Sequence, residues 1–523
     1  MKSPALVLAA LVGLSLSGAA SILAAAEAPA SAKPNVVLIL ADDLGFGDLG
    51  CYGGHAIPTP NIDRVAAQGR RFVQAYAPSA TCTPSRYALL TGEYPWRQRD
   101  RKTSILAGDD PLAIKPGTET LATVFHHAGY STAVVGKWHL GLGDGSKPID
   151  FNGAIAPGPC QLGFDQAFFI PATLDRVPTV LIEGDRVQGL DPADPIHVSY
   201  QSQIGHDPTG LDRPDLLRQP ADRQHSGTIV NGISRIGWMS GGNAARWVDE
   251  TLAAKLVERS ARFIEENRTH PFFLYFASLD PHVPRSPNPR FAGASKLGPR
   301  GDAIVQLDWT VGQVMAALAK AGVADRTLVI ITSDNGPVLF DGYFDQAVEL
   351  NGAHRPAGGL RGWKYLVYEG GCRVPFIARW PGHIPVGDDN RMLCLTDVMA
   401  TAAAITGQSL ARGAAVDSVD QLAVLSRADG PALRTEVVEQ GVSDAIALRQ
   451  GPWKFIRSNA RSSRSGLGGA EGSDRRWTES IIPADALYDL TADPAEQINL
   501  ANRDPERARS MRARLEQIEH SSP

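Results

Sequence analysis

Four stretches of the chain carry apolar residues at nearly every position instead of alternate ones. They are Asn35-Val-Val-Leu-Ile-Leu-Ala41, Ser131-Thr-Ala-Val-Val-Gly136, Pro271-Phe-Phe-Leu-Tyr-Phe-Ala-Ser278 and Thr327-Leu-Val-Ile-Ile-Thr-Ser333. Unbroken runs rich in branched residues suit strands of a parallel sheet covered on both faces. Helical periodicity runs over 244–267 and 303–321. Strands alternating with helices predict an α/β domain with a central, mostly parallel sheet between helices. Each of the four runs also ends in residues that carry chemistry: Asp42-Asp43, then Lys137 and His139, then His282 after Asp280, then Asp334-Asn335. In such sheets sites form outside the carboxyl ends of the strands. One Asp at a strand end reads as a loop former or helix cap. Four such arrivals at one edge read as a site.

Elsewhere the pattern weakens. Residues 150–241 are rich in Pro, Gly, Asp and Gln with little periodicity, and predict a long, loop-dominated insertion of a functional kind. After residue 408 short strand-like pieces appear at Thr435–Glu439, Ala445–Arg449 and Trp453–Arg457, then a Ser/Gly/Arg-rich loop over 458–473 and a charged helix near Pro505 to His520. Residues 408–523 are therefore expected to form a smaller C-terminal α+β domain beside a main domain over 33–407. At the other end, Lys2, an apolar Leu/Ala stretch from Ala5 and the small residues around Ala24-Ala-Ala-Glu-Ala28 form a cleavable signal peptide over 1–26. Its apolar run is short and broken by Gly and Ser, so it does not suit a membrane span, and no later stretch does either. The mature protein is expected to be secreted or periplasmic.

Composition adds exclusions. Of 523 residues, 51 are Lys or Arg and 56 Asp or Glu, a net charge of −5 that offers no basic footprint for nucleic acid. The cysteines number five, an odd count for an exported chain. Setting Cys82 aside leaves Cys51, Cys160, Cys372 and Cys394, which could pair in three ways; buried free thiols are the preferred reading for so few in so long a chain.

The adjacent carboxylates of Asp42 and Asp43 repel each other, and a hard divalent cation relieves that repulsion. Asp334 and Asn335 add oxygen ligands, and a set without a Cys/His cluster points to Ca²⁺ or Mg²⁺ over zinc. Cys82 heads a short helical run with Pro84 in its first turn, just before the helix proper. Exposed N–H groups at a helix start favour an anion, and Arg86 adds a fixed cation. No His–Asn partner for a cysteine-protease thiolate stands out. The residues by themselves lead to an anion-handling nucleophile at Cys82 beside a metal.

Cys82-Thr-Pro-Ser-Arg86-Tyr-Ala-Leu-Leu-Thr-Gly92 resembles the C-x-P-S-R…L-L-T-G signature of the type I, formylglycine-dependent sulfatases. Asp42-Asp43-Leu-Gly45, Gly136-Lys-Trp-His-Leu-Gly141, Asp280-Pro-His282-Val-Pro284, Ser333-Asp-Asn-Gly336 and Arg361-Gly-Trp-Lys364 resemble further elements of that family, as do Ala486-Leu-Tyr-Asp-Leu and Asn499-Leu-Ala in the tail. The resemblance spans nearly the whole mature chain. It implies an alkaline-phosphatase-like fold over 33–407, and oxidation of Cys82 to formylglycine by a maturation enzyme that reads Cys82, Pro84 and Arg86. It implies a hydrated aldehyde, one hydroxyl of which attacks sulfur while the other later loses its proton and expels sulfate. A serine there could not eliminate in this way. It further implies a cation, Ca²⁺ with Mg²⁺ as the other candidate, on Asp42, Asp43, Cys82, Asp334 and Asn335. Arg86 would hold the diol, His139 would help collapse the intermediate, Lys137 would grip formylglycine or sulfate, Lys364 would bind a sulfate oxygen, and His282 would give a proton to the leaving alcohol.

Two positions depart from the family pattern: Glu93 follows Thr91-Gly92 where a basic residue is usual, and Trp363 stands where glycine is common before Lys364. The implied substrate is a sulfated carbohydrate, with aryl sulfates as surrogates. His354, Arg355 and the 150–241 insertion are candidates for its leaving-group pocket. The rival readings are a formylglycine-dependent phosphoester or phosphonate hydrolase and a non-catalytic exported glycan-binding protein.

Overall fold

Along Asn35–Ala41 (β1), Val36, Leu38 and Leu40 face one apolar cluster while Val37, Ile39 and Ala41 face another, and all are buried. A strand apolar on both faces must lie between two layers. The computed structural model describes Met1 and residues 33–98, 105–442, 445–458 and 483–521. The signal peptide expected over 1–26, Met1 apart, and most of the Ser/Gly/Arg-rich loop lie outside the described residues.

The principal sheet is built, in chain order, from β1, Arg70–Phe72 (β2), Ser131–Lys137 (β3), Gln166–Ile170 (β4), Ile182–Glu183 (β5), Arg186–Val187 (β6), Phe272–Ala277 (β7), Thr327–Ser333 (β8), Phe376–Arg379 (β9) and Gly387–Asp389 (β10). Its spatial order is β10-β2-β9-β8-β1-β7-β3-β4-β5-β6. Strands β8, β1, β7, β3 and β4 are mutually parallel, with Val37 level with Leu274 on one side and Val329 on the other. The sheet is therefore mostly parallel at its centre, with antiparallel pairs toward its edges.

Helices cover both faces. Pro60–Ala67 (α1), Leu252–Glu266 (α4) and Gly298–Lys320 (α5) press Ile62, Leu256, Phe263, Leu307 and Val311 onto one face. Cys82–Thr91 (α2), Leu121–His127 (α3) and Asp397–Thr406 (α6) press Leu89, Leu90, Phe125 and Met399 onto the other. A second, antiparallel sheet runs Glu436–Gln440 (β11), Ile446–Gln450 (β12), Trp453–Arg457 (β13) and Asp485–Asp489 (β14). The helix Pro505–His520 (α7) packs Met511 and Leu515 into one cluster with Leu448 and Phe455 of that sheet and with Tyr76 and Tyr94. Residues 34–523 form one compact unit.

The 150–241 segment is not only loop. Its β4 extends the principal sheet beside β3, with Phe169 and Ile170 buried, and the two-residue strands β5 and β6 continue that edge. Elements this short leave no long apolar run to read. Among the described residues no helix is long and apolar enough to cross a membrane.

Candidate active site

Four neighbouring parallel strands, β8, β1, β7 and β3, end at the same edge. The Asp334-Asn335, Asp42-Asp43, Asp280-to-His282 and Lys137-to-His139 segments therefore converge because of strand direction alone. Their backbones are tied as well: Asp42 N–H donates to the Asp280 carbonyl (3.1 Å) and Asp334 N–H to the Ala41 carbonyl (3.2 Å). Gly136 permits the close approach of β3 and β7. Its φ is 117°, and a Cβ there would lie 1.8 Å from the Ala277 carbonyl oxygen. Asp43 and His139 adopt left-handed backbone, φ 65° and 53°. Strained backbone of this kind gathers at functional sites.

The charges interlock. Lys137 Nζ donates to Asp42 Oδ2 (2.7 Å). Arg86 gives Nε and Nη2 to Asp334 Oδ2 (2.9 and 2.7 Å), and its Nη2 lies 3.6 Å from Asp42 Oδ1. Asn335 Nδ2 donates to Asp43 Oδ1 (2.8 Å), and Lys364 Nζ to Asp43 Oδ2 (2.9 Å). All of these side chains are buried. Burial raises the Asp42 carboxyl well above its usual range, and Asp334 and Asp43 add to the effect against Lys137 and Arg86. Two oxygen acceptors in this buried set, Asp42 Oδ1 and Asn335 Oδ1, receive no hydrogen bond. Orphaned buried acceptors are rare because each forfeits its hydration. Oxygens of Asp42 and Asp43 and a ring nitrogen of His282 also lie within 4.8 Å of one another. This donor set fits a hard cation.

Cys82 is the first residue of α2, so the helix begins one step earlier than its sequence suggests; Thr81 before it is extended. The thiol is buried, and burial raises its pKa above the ordinary thiol value despite Lys137 and Lys364 nearby. As encoded it is a poor thiolate nucleophile. The described cysteines are all unpaired.

His282 Nδ1 lies 2.6 Å from the Val283 carbonyl, which accepts only if Nδ1 carries hydrogen; Nε2 is then the working end and faces Lys364 Nζ at 3.2 Å. Burial, then Lys364 and Lys137, lowers its pKa well below the ordinary imidazole value. His139 is similarly lowered by burial and by Lys137, Arg176 and Arg86. Its Nε2 lies 2.9 Å from the Leu106 carbonyl, and its Nδ1 has no partner. The metal and catalytic residues singled out from the sequence (Asp42, Asp43, Cys82, Arg86, Lys137, His139, His282, Asp334, Asn335 and Lys364) are thus brought into one buried cluster.

The family model described as Sulfatase matches residues 34–408. The chain belongs to the sulfatase family. This sulfatase is 46% identical over 491 residues to the N-acetylgalactosamine-6-O-sulfatase of Bacteroides thetaiotaomicron, covering 93% of each chain. It is 34% identical over 488 residues to human arylsulfatase A, covering 92% of this chain and 86% of that one. A solved structure from a Bacteroides thetaiotaomicron locus for metabolism of multiple glycosaminoglycans superposes with a TM-score of 0.88 at 46% identity, covering 94% of this chain and all of that one. The sulfatase is accordingly a hydrolase of sulfate esters.

Several polar groups around the cluster escaped the sequence. Asp341 accepts from Lys364 Nζ (2.9 Å) and from the Tyr365 hydroxyl (2.6 Å). Arg176 contacts both oxygens of Asp175 (2.9 and 3.0 Å) and is close enough to Cys82 and His139 for their charges to interact. His225 bridges Asp222 (2.7 Å) and Asp175 (3.5 Å), and these carboxylates overcome burial to hold its pKa up at about 9. No motif marks these residues; Asp175, Arg176, Asp222 and His225 are brought in by folding of the 150–241 segment onto the edge. His354, a sequence candidate for the leaving-group pocket, places Nε2 2.8 Å from Asp48 Oδ1, and Asp48 is also held by Arg300 (2.9 and 2.6 Å). Arg355 beside it is exposed. Glu93, one of the two departures, accepts the Tyr87 hydroxyl (3.1 Å).

Proposed function

We propose that this sulfatase removes sulfate from a sulfated carbohydrate, of the 6-O-sulfated N-acetylgalactosamine class, using formylglycine made from Cys82 and one divalent cation, Ca²⁺ in the first instance. The observation that carries the chemistry is the pair of unpartnered acceptors, Asp42 Oδ1 and Asn335 Oδ1, inside a buried cluster that also contains Asp43 and Asp334. Asp42, Asp43, Asp334 and Asn335 would hold the cation, with the modified Cys82 side chain beside them. Formylglycine, once hydrated to the geminal diol, would supply two hydroxyls on one carbon, and the cation would neutralise charge on the sulfuryl oxygens.

The chain's own residues do the rest. Arg86, fixed by Asp334, presents a cation beside residue 82 without losing side-chain freedom on binding. Lys137 and Lys364 place ammonium charge toward the sulfate; His282 Nε2, which accepts from Lys364 in the uncharged ring, would take up a proton as the bound sulfate's negative charge raises its pKa, and would give that proton to the leaving alcohol. His139, uncharged in its buried site, is suited to take a proton during sulfate release. Arg176, Asp175 and His225 form a polar wall next to Cys82 that suits a hydroxylated leaving group. Likeness to the Bacteroides thetaiotaomicron N-acetylgalactosamine-6-O-sulfatase supports the sugar class. Export through the signal peptide would bring the enzyme to such glycans.

The test is sulfate release from N-acetylgalactosamine 6-sulfate and 4-sulfate, and from 4-nitrophenyl sulfate against 4-nitrophenyl phosphate. Turnover of the 6-sulfate and the aryl sulfate is expected, with the phosphate far slower. Preference for the phosphate would favour the phosphoester reading, and tight glycan binding without turnover the binding-protein reading.

A further inference from the structure

Lys364 has three N–H donors, and its three partners have different duties. They are Asp43 Oδ2 (2.9 Å), His282 Nε2 (3.2 Å) and Asp341 Oδ2 (2.9 Å). Asp43 is committed to the cation and His282 to the leaving group, so both alter their contacts when the site is loaded. Asp341 has neither duty. Its second oxygen, Oδ1, takes the Tyr365 hydroxyl at 2.6 Å, so consecutive residues grip one carboxylate at both ends.

The backbone explains how neighbours in sequence reach the same group. Tyr365 has φ 82°, a left-handed conformation that a bulky side chain rarely adopts and a glycine adopts freely. The turn is pinned on both sides: Tyr365 N–H donates to the Ala80 carbonyl (2.7 Å), and the Tyr365 carbonyl accepts from Val442 N–H (3.1 Å). Ala80 lies just upstream of Cys82, so the segment is referenced to the nucleophile's own chain. The Lys364 ammonium also lies 5.3 Å from the centre of the Tyr365 ring. A strained tyrosine where glycine would be relaxed is accounted for by its hydroxyl.

We propose that Asp341 and Tyr365 are positioning residues for the sulfate-binding step. Together they hold Lys364 Nζ where a sulfuryl oxygen arrives, replacing the freedom of its four-carbon stem with a fixed site. The proposal rests on the sulfatase reading, in which Lys364 meets sulfate.

Tyr365→Phe and Asp341→Asn are compared with the full-length, matured enzyme, alone and in a Lys364→Ala background. Three quantities are read: the dissociation constant of inorganic sulfate by calorimetry, kcat and KM on two aryl sulfates with good and poor leaving groups, and the melting temperature. Each single variant should lose about tenfold or more in sulfate affinity and in kcat/KM, by the same factor for both leaving groups. The same substitutions should have no further effect once Lys364 is alanine. Activity and sulfate affinity within twofold of wild type, or losses undiminished in the Lys364→Ala background, would overturn the proposal. So would a loss that grows with leaving-group basicity, which would place the pair behind His282. A wild-type enzyme that binds sulfate without turning over either ester would refute the sulfatase mechanism while the pair is still judged by sulfate affinity. Wild-type protein that binds no sulfate overturns both.

Discussion

Lys454, on β13, is fully buried, and its Nζ faces Glu439 (2.6 Å), Glu369 (3.1 Å) and Glu496 (3.7 Å). Arg373 reaches Glu369 at 3.6 Å from the rim, the Tyr76 hydroxyl donates to it at 2.9 Å, and Glu369 N–H donates to Glu496 (2.7 Å). Burial pushes Glu439 up to about 7 and Glu496 to about 8 against the pull of Lys454. The cluster supports the active site from behind. Glu369 opens the turn that follows Lys364, and in that turn the Gly371 carbonyl accepts from Gly336 N–H (2.8 Å), beside Asn335. Lys454→Met leaves three buried carboxyls without their ammonium, a loss of about 3–5 kcal/mol. With unfolding entropy near 2 cal/mol/K per residue over a unit spanning 34–523, this is a fall in Tm of roughly 3–5 °C. The sign of the pH effect follows from linkage. Carboxyls whose folded pKa is raised add no penalty below their unfolded value, near 4.5, and an increasing one as pH rises toward 7 to 8. The Lys454→Met deficit should therefore be larger at pH 8 than at pH 5. Melts followed by circular dichroism at both pH values decide it. A variant that melts with wild type at pH 8, or a deficit equal at pH 5, would refute the reasoning.

Stripping divalent cations with a chelator should lower Tm, and Ca²⁺ at a hundredfold excess over its Kd should restore about 2.7 kcal/mol of stability, because it would satisfy Asp42 Oδ1 and Asn335 Oδ1; a Tm indifferent to Ca²⁺ would contradict the cation site. His282→Ala should slow an alkyl or sugar sulfate by about 10²–10⁴-fold yet barely slow 4-nitrophenyl sulfate, whose leaving group needs no proton; equal losses would remove the general-acid role. Asp280 is buried with Gln306 as its side-chain partner, 3.0 Å away, and burial pushes its pKa up to about 7. A raised folded pKa means wild type loses stability as pH rises from about 4 to 7, so Asp280→Asn should flatten that stretch of the stability profile; parallel profiles would refute it.

Much of the site was legible because parallel strands deliver their terminal residues to one edge. The apolar runs around Val37, Phe273, Ile330 and Val134 announce the strands, and the polar residues after them are placed by strand direction. Three of the antiparallel C-terminal strands were readable from short strand-like pieces, and Asp485–Asp489, whose DALYD pattern is short and half polar, was not. What escaped depends on pairings distant in sequence. Nothing near Asp341 indicates that its partners are Lys364 and Tyr365, and nothing near Lys454 indicates Glu369. β4 was hidden inside a Pro- and Gly-rich stretch. His354 reads as a pocket candidate until Asp48, far back in the chain, is brought against it.

The central claim is the chemistry at Cys82, a buried thiol whose pKa burial raises. Peptide mass spectrometry across Thr81–Gly92 tests it most directly, on protein from its own host or coexpressed with a formylglycine-generating enzyme. The account predicts an aldehyde, free or hydrated, at residue 82 in the active enzyme. An unmodified cysteine in protein that still hydrolyses sulfate esters would contradict it.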